Sequence, residues 1–112
     1  MQRIATYYPI PEEDPIECEN PDVYADAYEM YEALEGWGTD EDAIYEILHR
    51  NRDPECIMEL YMAFEDVLER EDDTEDGDLI KWLRDDGEEA SANYVYNAVQ
   101  KMTRAIKQRE EN

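Results

Sequence analysis

Very little in this 112-residue sequence announces chemistry. It has a single histidine, His49. No serine or cysteine has an evident histidine–acid partner along the chain. No H-E-x-x-H, C-x-x-C or glycine-rich phosphate loop occurs. These absences remove the common hydrolytic, metal-protease and nucleotide-binding designs, so the expectation is a protein that is not an enzyme. Two cysteines, Cys18 and Cys56, are too few for a metal knuckle or a stapled framework. Two reduced thiols are the leading expectation, and one bridge tying the N-terminal segment to the domain is the alternative. No run approaches 18 apolar residues, which excludes a spanning helix. The N-terminus lacks the apolar stretch of a signal peptide, and no Asn-x-Ser/Thr acceptor occurs. Together these place the protein inside a cell, or in a particle made inside one.

Positive charge is the other scarcity. Ten basic side chains face 32 acidic ones, for a formal net charge of −22. The imbalance is uneven. Residues 1–92 hold 6 basic and 30 acidic side chains, whereas residues 93–112 hold 4 basic and 2 acidic. An acidic body thus ends in a mildly basic tail. Direct binding to a nucleic-acid backbone is excluded, because that needs clustered cations. Binding a basic partner, imitating nucleic acid with rows such as Glu65, Asp66, Glu69, Asp72 and Asp73, or tolerating molar salt all suit the charge. Carboxylate pairs are so numerous that they signal a solvated surface and no general acid–base site.

What is plentiful is aromatic: nine Tyr, two Trp and one Phe. A disordered acidic tail would lack them. With 42% hydrophobic residues, the length suits one domain with a modest core. Residues 1–20 read as an extended arm, because Pro9, Pro11 and Pro15 break any helix there. Tyr7, Tyr8 and Ile10 give the arm apolar handles for a neighbour.

Residues 21–112 read as an acidic domain of five helices. Asn20 and Pro21 start the first, whose stripe is Val23, Ala27, Met30, Tyr31 and Leu34, and Gly36 ends it. Thr39 is the expected cap of the second, which buries Ala43, Ile44, Ile47 and Leu48 and stops near Asn51. Asp53 and Pro54 open the third. Ile57, Leu60, Tyr61, Phe64, Val67 and Leu68 recur along it to about residue 70. Residues 71–77 form an acidic connector kept solvated by like-charge repulsion. A short fourth helix, about 78–85, offers Leu79, Ile80, Trp82 and Leu83. After a turn at Asp85-Asp86-Gly87, the fifth runs from about Glu88 to Arg109. Tyr94, Val95, Ala98, Val99, Met102 and Ile106 share its face. No strand pattern competes, and the expected class is an all-α, compact five-helix bundle.

The stretch Gly36-Trp37-Gly38-Thr39-Asp40-Glu41 joins two glycines and a capping threonine to an acidic first turn. With five helices of these relative lengths, it resembles a single annexin repeat over about residues 22–105. The resemblance implies a calcium site made by the carbonyls of Leu34, Gly36 and Gly38, with Asp85 or Asp86 as the distal acid. Calcium favours ~6–8 oxygen ligands, which a glycine loop can supply. It also implies that Trp37 enters the lipid interface. Apart from that calcium, no cofactor is expected.

The leading functional expectation is a non-catalytic acidic helical module for binding or assembly. It would be a small structural component of a viral particle or another large complex. Docking would run through the arm and the aromatic patches, Trp37 included, onto a protein partner or copies of itself. A nucleic-acid mimic that inhibits a DNA-binding protein is the first alternative. Calcium-dependent phospholipid binding, as in annexins, is the second, with membrane contact only when calcium is bound.

Overall fold

In a computed structural model the described residues are 18–35, 40–71 and 77–111, without the side chain of residue 111. They form five α-helices and no strand: α1 Val23–Leu34, α2 Glu41–Arg50, α3 Pro54–Arg70, α4 Leu79–Asp85 and α5 Glu89–Glu111. Helix α3 runs through the middle, packed against α1 on one side and α5 on the other. Helix α2 leans on α1, and α4 on α5.

The expected stripes make the core. Val23, Ala27, Met30, Tyr31 and Leu34 are buried on α1, and Ile44, Ile47 and Leu48 on α2. Ile57, Leu60, Phe64, Val67 and Leu68 face them from α3, with Leu79, Ile80 and Leu83 from α4 and Val95 and Val99 from α5. Phe64 meets the Trp82 indole edge-on at 5.6 Å between ring centres, and Tyr31 tilts onto that indole at 5.8 Å. Tyr94 departs from expectation. It is 43% exposed, and its hydroxyl donates to the Arg52 carbonyl at 2.9 Å.

Helix ends follow their local chemistry, with two shifts. The cap of α2 is Asp40, whose carboxylate accepts from the Ala43 N–H at 3.2 Å. The expected cap, Thr39, lies outside the described residues, as does the proposed helix stop Gly36. Pro54 stands at the start of α3 behind Asp53. Helix α4 ends in a Schellman turn: the Gly87 N–H donates to Arg84 O and the Glu88 N–H to Leu83 O. Gly87 takes φ 82° there, a conformation that a Cβ would penalise.

The second shift concerns Asn20, which does more than open α1. Its Oδ1 accepts from the Asp22 N–H, while its Nδ2 donates to Asp26 and to Asn51. Asn51 is fully buried at the end of α2 and donates to Asp26 and to the Ile47 carbonyl. Arg50 closes the cluster on Asp26 at 2.9 Å. Burial alone would raise the Asp26 pKa. The donors Asn51, Arg50 and Asn20 outweigh it and hold the carboxyl below its ordinary range. Stability from this clamp is therefore complete above about pH 4 and lost as pH falls through the lowered value. Asp26→Ala is expected to cost about 2 kcal/mol at pH 7, and less at acid pH, in urea titrations.

The thiol expectation is corrected. Cys18 and Cys56 are joined in a disulfide, with their Cα atoms 4.7 Å apart. Helix α3 presents Cys56 in its first turn, and the chain entering α1 lies alongside it. Packing of α1 on α3 brings together two residues that are 38 positions apart.

Candidate functional site

The end of the bundle where α2 begins is the place the sequence marks out. Leu34 is the last residue of α1, its side chain buried in the core. The Asp40 N–H donates to the Ala33 carbonyl at 3.2 Å, so the chain leaves α1 and returns to within one hydrogen bond of it. Gly36, Trp37 and Gly38 lie between those points, outside the described residues, and so do Tyr7, Tyr8 and Ile10. Asp85 closes α4, is exposed, and pairs with Lys81 Nζ at 2.7 Å. Asp86 caps α4 and is exposed.

The acid that reaches α2 is neither of these. It is Glu88, the residue after the Schellman glycine, and it is only 6% exposed. The Tyr45 hydroxyl donates to Glu88 Oε1 at 3.3 Å. Burial, then the Glu41 carboxyl, then the charge of Asp86 raise the Glu88 pKa, and the Tyr45 bond only partly opposes them. Glu41 sits in the first turn of α2 and Tyr45 one turn on. Two carboxyls from α2 and the α4–α5 turn thus converge at the end where residues 36–39 join α2. Such a pair can share one proton or lean on a cation. Among the described residues, no group of three or more His, Cys, Asp or Glu side chains has metal-holding geometry. Glu88 is hidden in the sequence because four acids flank Gly87, and only the Schellman turn selects which one is buried.

The raised pKa fixes a sign. Stability linked to Glu88 is complete below the ordinary glutamate range and falls as pH rises through the raised value. Glu88→Gln keeps the shape and removes the charge. It is expected to raise Tm at pH 7 and leave it nearly unchanged at pH 4, measured by circular dichroism.

Beside this cluster an open groove of about 280 Å³ is lined by Tyr45, Leu48, His49, Arg52 and Tyr94. Arg52 is anchored by a hydrogen bond from Nη1 to the His49 carbonyl. Large apolar side chains stand out from the core, two of them in this groove: Tyr24, Tyr28, Tyr45, Met62, Tyr94 and Tyr96 are 39–52% exposed. No described helix is long and apolar enough to cross a membrane. No protein-family model, curated protein or solved structure matches the chain.

Proposed function

We propose that the chain is a non-catalytic, acidic helical module that acts by binding and assembly, as a small component of a larger complex such as a virus particle. The observation that carries the reading is the set of half-exposed tyrosines, Tyr24, Tyr28, Tyr45, Tyr94 and Tyr96, outside a buried core. Tyrosine offers large contact area at low entropic cost and is enriched in interfaces. The surrounding carboxylates steer basic partners and repel acidic ones. Tyr7, Tyr8, Ile10 and Trp37 are the further anchors of this proposal. Tyr45→Ser with Tyr94→Ser tests it: the pair should release the protein from its complex in source-cell extract with little loss of helicity. Retention at the same complex size would count against these anchors.

A second reading is calcium-dependent membrane association, with Leu34, Gly36, Gly38 and an acid of the α4–α5 turn as the calcium ligands. Convergence of Glu88 and Glu41 there favours it, with Glu88 taking the place given to Asp85 or Asp86. Calcium would relieve the carboxyl repulsion and would raise Tm in the natural chain but not in Glu88→Gln. Co-sedimentation with phosphatidylserine vesicles would follow the same pattern. Equal behaviour in calcium and in chelator would remove this reading.

A further inference from the structure

Four of the five described Lys and Arg side chains that precede α5 are held by carboxylates. Arg50, Arg70, Lys81 and Arg84 each pair with a nearby carboxylate. Helix α5 differs. Lys101, Arg104 and Lys107 are exposed and make no ion pair among the described residues. Helical spacing puts them on the side of α5 turned away from Val95, Val99 and Met102, which are buried. Met102 is the last buried residue on the helix. In a chain of net charge −22, these three cations form a concentrated basic face.

A matching surface lies on the other side of α3. Tyr24 and Tyr28 are one turn apart on α1, 41% and 39% exposed. The Arg70 guanidinium stands over the Tyr24 ring at 5.5 Å, so this face already receives a cation on an aromatic plane. Glu32 is exposed one turn beyond Tyr28, and Glu71 is exposed at the end of α3. The charge of Glu71 and partial burial raise the Tyr28 hydroxyl pKa, which places Glu71 and Glu32 close around that ring.

We propose that the Lys101–Arg104–Lys107 face of α5 in one copy docks on the Tyr24–Tyr28–Glu32–Glu71 face of a second copy. The inference rests on the assembly reading and names one contact within it. The two faces are different, so the contact is heterologous and leaves a free face at each end. It extends a row of copies or closes a ring. Repulsion between the acidic bodies is screened beyond about 8 Å at 0.15 M salt, whereas the touching charges are not.

Sedimentation of the purified full chain tests it. At 0.15 M salt the weight-average mass should at least double between about 10 μM and about 1 mM chain, the range in which a weak contact of this kind fills. K101E/R104E/K107E lacks the donor face and keeps the acceptor, while E32K/E71K does the reverse. Each alone should sediment as one chain. Their equimolar mixture should form a two-chain species and nothing larger, because only one complementary contact remains. A misfolded variant would not restore pairing, so the mixture guards against that failure. A natural chain that stays single at 1 mM, variants that assemble as it does, or a mixture that stays single would each overturn the contact. A chain that is single when purified but part of a large complex in source-cell extract would remove this contact and leave the assembly reading standing.

Discussion

Reducing the Cys18–Cys56 bridge, or replacing Cys56 with serine, is expected to lower stability by about 4 kcal/mol. The figure follows from loop closure. The bridge ties residues 38 apart, and the chain-entropy relation gives roughly this value for a loop of that size. A domain of this size commonly has only ~5–15 kcal/mol in total. The loss would appear as a fall in Tm of about 15 °C on adding reductant. The bridge also supports what lies beside it. The Asn20 N–H donates to Cys18 Sγ, and Asn20 in turn donates to Asp26 and Asn51. Without the bridge, the entry to α1 loses its anchor on α3 and the buried polar clamp loses one of its donors. Cys56→Ser should therefore make Asp26→Ala less damaging than it is in the natural chain. Strict additivity of the two changes would contradict this coupling.

Phe64→Ala is expected to cost about 4 kcal/mol, the range found for a phenylalanine removed from a tight core. Phe64 is fully buried near the middle of α3 and meets Trp82 of α4 edge-on. Trp82 also touches Tyr31 of α1. One ring therefore helps fix three helices, and its removal leaves a void that short α4 cannot fill without abandoning α5. Phe64→Leu keeps most of the volume and should cost only ~1.5 kcal/mol. Urea midpoints of the two variants measure the contrast. Near-equal values would mean that packing around this ring is loose.

These two sites show how differently fold and function were written into the chain. Phe64 was readable, because Ile57, Leu60, Phe64, Val67 and Leu68 repeat at helical steps and a periodic face has one place to go. Asp53-Pro54 was readable because capping chemistry is local. The cap of α2 was off by one residue, since Thr39 and Asp40 both carry a capping oxygen. The hydrogen bond from Asp40 back to Ala33, which fixes Asp40 in place, is tertiary. The bridge stands in the sequence only as the alternative to two thiols, since nothing near Cys18 says that α1 will lie along α3. The Asp26–Asn51 clamp was hidden for a related reason. An aspartate among 32 acids looks like surface until a buried asparagine from α2 meets it. Glu88 shows the same masking by abundance, because composition cannot tell an inward carboxyl from its outward neighbours. The exposed tyrosines are visible in the sequence as a total and not as a pattern, and Tyr94, which shares the apolar stripe of α5, belongs at the rim. The arm anchors Tyr7, Tyr8 and Ile10, together with Trp37, lie outside the described residues.

A bundle closed inside and tyrosine-studded outside should be found attached to something. Size-exclusion chromatography with multi-angle scattering, on protein drawn gently from its source cells, tests that most directly. The account predicts a complex well above the 13.3 kDa of one chain, from which a form lacking residues 1–17 is shed. The 112-residue chain eluting as a lone 13.3 kDa species, with the shortened form behaving identically, would contradict it.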